Sequence, residues 1–366
     1  MIKPKILVTG ATGRTGGAVV TELLAKDWPV RAAVRVRDAR SDQLQRRGAE
    51  VVVADIFDPA QLMDAMRGVQ RAYYCPPYHP FVIQSAAAFA AAARETGLEQ
   101  IVGLSQWLAG PNHPALMSRQ LWLIDRMFAA LPSIAHTVLN PGFFADSPYM
   151  EMMPFAAHLG AFPLPVAGES LNAPPSAADI ARVAAAAFLD PGRHAGKSYR
   201  PTGPELLTVT EMAAVIGRVV GHKVRHVRIP LRIFYKAVKA QGLEPILLSG
   251  LSHYFLDHDR GAFAVGAPND TVREVTGKNA EDFETIARRY AALPESRQSL
   301  GARLAAFARF MAAPMLPGFN PATYDRTQEQ PVPPTPHLAL DDAGWVASHG
   351  VEGSFTVDTT LKEALA

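Results

Sequence analysis

Residues 9–16, Thr-Gly-Ala-Thr-Gly-Arg-Thr-Gly, come directly after the apolar run Ile6-Leu7-Val8 and open an amphipathic stretch over residues 15–26. An aliphatic run, a glycine-rich turn and a helical period in that order predict a strand, a tight loop and a helix. Few folds accept this opening. Glycines at 10, 13 and 16 keep Cβ atoms out of a loop whose backbone N–H groups, with a helix N-terminus behind them, suit a diphosphate. Glycine also ends strands for conformational reasons alone, so the flanking pattern has to carry the reading. The second strand that such a site requires roughly 20 residues on is present at residues 30–34. It ends in Arg35, with Arg37 and Arg40 close behind, and not in Asp or Glu. A carboxylate there accepts from a ribose 2′-hydroxyl, whereas a guanidinium fork suits a 2′-phosphate. The chain therefore reads as a binder of NADP(H) over NAD, with Gly10, Thr12, Gly13, Arg14, Thr15 and Gly16 around the diphosphate and Arg35 and Arg40 at the adenosine end. A solvated basic turn is the competing reading of the arginines.

Beyond residue 34, strand-like segments at 50–53, 72–74, 100–104 and 135–139 alternate with helical ones at 59–66, 80–95 and 118–130. That alternation specifies βαβ units, an α/β class and a doubly wound parallel Rossmann sheet of six strands with right-handed crossovers. The ligand crevice of such a sheet lies at the carboxyl ends of its strands. Here those ends carry the glycine loop, Arg35, Asp55-Ile56, Cys75-Pro76-Pro77, Ser105-Gln106-Trp107 and Asn140-Pro141-Gly142-Phe143-Phe144. Each is also an ordinary strand terminator, so only their convergence on one edge of the sheet points to a ligand.

At 366 residues the chain exceeds one ordinary hydrophobic core. We expect a Rossmann domain over residues 1–145, a smaller α/β region over 146–291 that partly returns to the sheet, and a C-terminal segment over 292–366. Residues 145–175 are rich in Met, Phe, Pro and Gly and read either as an apolar lid or as a core helix with Met filling gaps. A helix is expected over 176–189, a strand over 198–202, a capping box at Thr208-Val209-Thr210-Glu211 opening a helix to 219, a strand over 224–229 and a helix over 279–291. Residues 302–315 read as a helix and the proline-rich 317–336 as an extended, wrapping or partly disordered strap. Trp345 and the residues after it carry no readable pattern.

Composition excludes several classes. Net charge is +2, from 36 basic and 34 acidic side chains, which gives no electrostatic reason for nucleic-acid binding. One cysteine, Cys75, and a start that runs straight into a core strand point to a reducing, cytoplasmic setting. The Ala-rich run at 85–93 is too short to span a bilayer and ends in Arg94 and Glu95. The histidines show no ligand spacing, so no metal is expected. Gly103-Leu104-Ser105-Gln106-Trp107 lacks a nucleophile elbow, so hydrolysis is not expected either. A small-molecule substrate is the expected partner, with a protein partner or a homo-oligomer left open.

The segments Thr9 to Gly16, Arg35, Ala54-Asp55, Leu139-Asn140-Pro141-Gly142-Phe143-Phe144 and Thr202-Gly203-Pro204-Glu205 resemble the NmrA-like branch of the atypical short-chain dehydrogenases/reductases, over about residues 5 to 291. That resemblance implies NADP(H) with its adenine edge near Asp55 and Ile56, its ribose phosphate on Arg35, and its nicotinamide near Pro76, Ser105, Pro141 and Gly142, with Cys75 and Pro77 among the further cofactor contacts expected. Members of the family include reductases of quinones, dyes and related aromatics, and also redox-sensing regulators without known turnover. The parent superfamily reduces carbonyls with a Tyr-x-x-x-Lys pair on the helix after the Ser105 strand. Residues 118–130 contain neither Tyr nor Lys, and Asn140 stands where many relatives carry Arg. A literal match at Tyr235 and Lys239 lies well past the sixth strand and reads as part of a solvated basic helix face. His79 and His113 are candidate proton sources that read more simply as surface or satisfied core residues. Without the acid–base pair, the substrate expected is an electrophile such as a quinone, azo or cationic aromatic compound that collects its proton from water. Trp107, Phe143, Phe144 and Tyr149 are the expected aromatic walls around it. The alternative is a non-catalytic sensor of NADP(H) acting through a protein partner, which requires different affinities for the two redox forms.

Overall fold

Strand β1 (Ile6–Val8) is wholly buried, as three consecutive aliphatic residues in a two-sided sheet should be. In the computed structural model, which describes residues 3–350, it is the hub of a seven-stranded parallel sheet. The other members are β2 (Val30–Val34), β3 (Glu50–Val53), β4 (Arg71–Tyr74), β5 (Gln100–Leu104), β6 (Ala135–Leu139) and β9 (Ser198–Tyr199), in the order β3-β2-β1-β4-β5-β6-β9. Every pairing is parallel. Strand order reverses between β1 and β4, and that switch point puts the glycine loop beside the Cys75 turn.

Helices α1 (Arg14–Leu24), α2 (Ala39–Arg46), α3 (Pro59–Met66), α4 (Val82–Glu95) and α5 (Leu116–Ala129) are the crossovers. Tyr73 and Tyr74 show how alternation builds the two faces: both are fully buried, Tyr73 in the core beneath α1 and Tyr74 in the core beneath α3, α4 and α5. Asp38 caps α2 in a capping box with Ser41, which fixes where the chain re-enters helix after Arg35.

The smaller region contains α6 (Met153–Leu159), β7 (Ala161–Leu164), β8 (Leu171–Asn172), α7 (Ala177–Leu189) and α8 (Pro191–His194), then β10 (Leu207–Thr208), α9 (Val209–Val220) and β11 (Arg225–Arg228). The capping box at Thr208 and Glu211 forms as the sequence specifies. Helix α7 packs on α1, and β9 extends the main sheet beyond β6. Strands β7 and β11 pair parallel, and β8 pairs antiparallel with β10. Met150, Met152 and Met153 are buried in a separate core, so of the two readings of residues 145–175 the structure carries the core helix.

Helices α10 (Leu231–Lys239), α11 (Pro245–Asp259), α12 (Thr271–Thr276), α13 (Phe283–Ala291), α14 (Leu300–Ala312), α15 (Pro321–Thr327) and α16 (Ala343–Gly350) complete the described chain. The proline-rich strap is therefore not extended throughout. Asn320 caps α15, and Ser249 Oγ donates to Asp325 Oδ1 at 2.5 Å, anchoring it to α11. Arg119 donates to the Pro331 carbonyl and His337 N donates to Asn112 O at 2.9 Å, so the remainder wraps across the start of α5. Among the described residues, no helix is long and apolar enough to cross a membrane.

Candidate functional site: a dinucleotide cleft at the switch point

Gly10 adopts φ +60°, a left-handed conformation that side chains disfavour, and an added Cβ there would stand 3.1 Å from Cys75 Cβ. At Gly16 the added atom would lie 2.3 Å from Gly10 O, which is backbone and cannot give way. The loop is thus folded back on its own carbonyl, with Gly13 N donating to Gly10 O at 2.8 Å. Gly13 is the N-cap of α1 and no side chain caps it, which leaves first-turn N–H groups aimed into the crevice. A cradle of this shape, closed to Cβ atoms and edged by uncapped amides, fits a pyrophosphate. Thr9 Oγ1 accepts from Cys75 N at 2.8 Å and donates to Tyr73 O at 3.1 Å, pinning β1 to the β4 turn. Thr15 Oγ1 lies 3.6 Å from Cys75 Sγ. Burial pushes the Cys75 thiol up, so it stays neutral.

The arginines divide by what they touch. Arg35, just past β2, is exposed and makes no hydrogen bond or ion pair among the described residues. Arg40 instead folds onto Asp38, with Nε at 3.0 Å and Nη2 at 2.6 Å from Oδ2, and Arg37 donates to Gln45 Oε1 and Val51 O. Arg14 is exposed and reaches away from the loop to Glu151 Oε1 at 2.8 Å, linking the cradle to the segment before α6. Of the four, Arg35 alone offers an open fork at the end of β2.

Asp55 and Ile56 follow β3 at the same edge of the sheet, where Asp55 N is held by Gln61 Oε1 at 3.0 Å and Asp55 Oδ1 accepts from Phe57 N. Pro76 and Pro77 follow β4 and lead to Tyr78, which is 55% exposed and which sequence reasoning missed. A narrow cavity opens there between Pro77, Tyr78, Val82, Met117, Gln120 and Ile246. The signal for Tyr78 was its place in a Pro-rich strand-end turn, obscured by the prolines around it.

On the far side, Ser105 follows β5 and its Oγ donates to Asp125 Oδ2 on α5 at 2.6 Å. Burial pushes the Asp125 carboxyl up to about 7, against the opposing pull of Ser105, Asn140 and Arg126. Asn140 Nδ2 donates to Gln106 O at 3.2 Å and its Oδ1 accepts from Ser198 Oγ at 2.5 Å, which locks the turn after β6 to β9. Pro141 O accepts from Trp107 N at 2.9 Å, and a Cβ on Gly142 would meet Phe263 at 3.0 Å.

Three of the four expected aromatic walls require correction. Trp107, Phe143 and Tyr149 are buried in the second core, and Phe144 alone is half-buried. Phe143 packs on Tyr254 and Phe263, both with centroids at 5.0 Å. The Tyr149 hydroxyl is 2.7 Å from His258 Nε2 and accepts from Asn172 Nδ2 at 3.0 Å. Trp107 donates its indole N–H to Ala262 O at 3.0 Å. These rings follow strand ends, as expected, but the smaller region supplies enough apolar surface to close over them.

The two reserve proton sources differ: His113 is enclosed in the core, whereas His79 lines the narrow cavity beside Tyr78. His113 is buried and its Nε2 is 2.9 Å from Asp257 Oδ2, while its Nδ1 accepts from Ala115 N, a satisfied core histidine. His79 Nδ1 accepts from Phe81 N and its ring packs on Phe57. The Tyr235 and Lys239 match is not a solvated face. Tyr235 is buried, Lys239 donates to Gly318 O at 3.1 Å and Lys236 to Pro314 O at 2.5 Å, so this helix clamps the C-terminal segment.

A parallel doubly wound sheet with an uncapped glycine turn at its switch point defines a Rossmann-type dinucleotide-binding protein. The NmrA-like family profile matches residues 2–108, and the chain is 32% identical over 292 residues to the NAD(P)H azoreductase of Xenophilus azovorans, spanning 78% of this chain and 98% of that one. The chain belongs to the NmrA-like family. Among solved structures, the NADPH-dependent quinone oxidoreductase of Escherichia coli in complex with NADPH superposes with a TM-score of 0.66 at 26% identity, over 78% of this chain and 99% of that one. NmrA, a negative transcriptional regulator crystallised with NADP, superposes with a TM-score of 0.63 at 18% identity over 81% of this chain and 100% of that one, a likeness of fold.

Proposed function

We propose that the chain is an NADPH-dependent reductase of electrophilic aromatic or quinone-like small molecules. The observation that carries the cofactor is the open guanidinium of Arg35 beside the uncapped first turn of α1. The azoreductase and quinone oxidoreductase relatives support the reaction class. In this reading Gly10, Thr12, Gly13, Thr15 and Gly16 hold the pyrophosphate, Arg35 the 2′-phosphate, Asp55 and Ile56 the adenine edge, and Pro76, Ser105, Pro141 and Gly142 the nicotinamide end. Arg40 and Arg14 serve by holding Asp38 and Glu151 and do not contact phosphate directly. NADPH supplies a hydride, and the protein's part is to position the acceptor and exclude water from it. Tyr78 and Phe144, the accessible rings at the strand ends, take the place of the buried Trp107, Phe143 and Tyr149 as substrate contacts.

The test is NADPH oxidation followed by absorbance against a panel of benzoquinones, naphthoquinones, azo dyes and triphenylmethane dyes. Acceptor-dependent oxidation of NADPH in preference to NADH is expected. Inertness towards the whole panel, combined with unequal affinities for NADP+ and NADPH, would favour the sensor instead.

A further inference from the structure

The superfamily's proton-donating pair is missing from α5, yet this helix does present one ionisable side chain to the strand-end hydroxyl: Asp125, 2.6 Å from Ser105 Oγ. Ser105 itself is fixed by its backbone, with Ser105 N donating to Leu139 O at 2.7 Å, and stands at the carboxyl end of β5, where the crevice runs. Three groups bear on the carboxyl. Ser105 faces it from β5, Asn140 from the turn after β6, and Arg126 adjoins it on α5 with its guanidinium 5.5 Å from the Trp122 ring. Two of the three are neutral, so burial outweighs the single cation and keeps the acid partly protonated around neutrality.

We propose that Ser105 and Asp125 form the acid relay of the reductase, Ser105 protonating the reduced acceptor and Asp125 reprotonating Ser105. This rests on the reductase reading above. When Asp125 is protonated, the Ser105 oxygen accepts from it and the hydroxyl hydrogen of this buried serine is released for donation to the acceptor. The hydride and its electron pair come from NADPH, which is oxidised to NADP+. The anionic oxygen or nitrogen left on the acceptor takes the hydroxyl hydrogen of Ser105 as that O–H bond breaks. Ser105 takes the carboxyl proton in turn, and the Asp125 carboxylate recovers one from water, so one acceptor, one NADPH and one proton give the two-hydrogen product. Ser105 is the catalytic group, and Asp125 positions it and stores its proton.

The experiment uses the full chain and the variants Asp125→Asn, Ser105→Ala and Asp125→Glu, with a benzoquinone as acceptor. Without cofactor, infrared difference spectra between about pH 5 and about pH 9 should show a protonated-carboxyl band lost near neutrality in the parent protein and absent from Asp125→Asn. With NADPH, parent kcat should fall as pH rises through that midpoint. Asp125→Asn and Ser105→Ala should lose at least about 10-fold in kcat at neutral pH and show flat profiles, with KM for NADPH within about twofold, and Asp125→Glu should restore the slope. If Asp125→Asn does not fold, Ser105→Ala carries the comparison. A parent that turns over while the variants keep its pH profile, or an infrared spectrum without the band, overturns the relay alone. A parent inert to every acceptor overturns the reductase reading and the relay with it.

Discussion

An alanine at Gly16 would place its Cβ 2.3 Å from Gly10 O, a clash with backbone at the point where the loop turns under itself. Gly16→Ala is therefore expected to weaken NADPH binding at least about 10-fold and to cost about 1–3 kcal/mol of stability, read by calorimetry and urea denaturation. A variant that binds and unfolds like the parent would show that the loop is not the cradle described. The same scale separates the arginines. Sequence placed Arg35 and Arg40 together at the adenosine end, since both follow β2 within six residues, but nothing in the sequence says that Asp38 engages Arg40. That pair is local, whereas other cases were decided by partners distant in the sequence. Arg14 is taken by Glu151, 137 residues away, and Ser105 by Asp125, 20 residues on in the crossover helix α5.

At the scale of elements, the order of β1 to β6, their bounds to within one residue, and every crossover except α2 were legible, because parallel strands are continuous apolar runs and most of their helices carry a strong period. The seventh strand falls within the strand expected over 198–202, but it is only two residues long and pairs with only the end of β6, so nothing in its pattern marks it as a member of the main sheet. Helices α11, α12, α15 and α16 were not legible. Helix α11 packs on α5, α10 and α15 at once and α16 on the turn after β5, so neither shows one uniform apolar face. Trp345 is the sharpest case: it stacks on His349 with centroids 3.8 Å apart and donates to Trp107 O at 3.1 Å, coupling the last described helix to a strand end of the Rossmann sheet. Trp345→Ala is expected to cost about 3–5 kcal/mol, seen as a clear drop in thermal midpoint. An unchanged midpoint would mean that α16 is an appendage without mechanical connection to the site.

Across the whole molecule, histidines whose pKa is lowered by burial contribute to the response to acid, three of them most strongly. Burial lowers His136 to about 3, His258 to about 4 and His349 to about 3, each from 6.5. A histidine neutral in the fold but charged when unfolded stabilises fully above about 6.5, and that contribution is lost as pH falls towards the folded value. Asp125 acts in the opposite sense over its window, because its folded value lies above its ordinary one, so stability is lost as pH rises between about 3.8 and about 7. Urea midpoints are expected to fall as pH drops from about 7 to about 4, and His136→Leu should flatten that fall. An identical slope in the variant would contradict the assignment to this residue. The account as a whole depends on a helix N-terminus that receives a diphosphate while one open guanidinium at the end of β2 selects a phosphorylated ribose. Calorimetric titration of the parent, Arg35→Ala and Arg40→Ala with NADPH and with NADH tests this most directly. The prediction is a preference for NADPH of at least about 10-fold in the parent and in Arg40→Ala, and its loss in Arg35→Ala. The absence of heat with either nucleotide, or a preference that survives removal of Arg35, would contradict it.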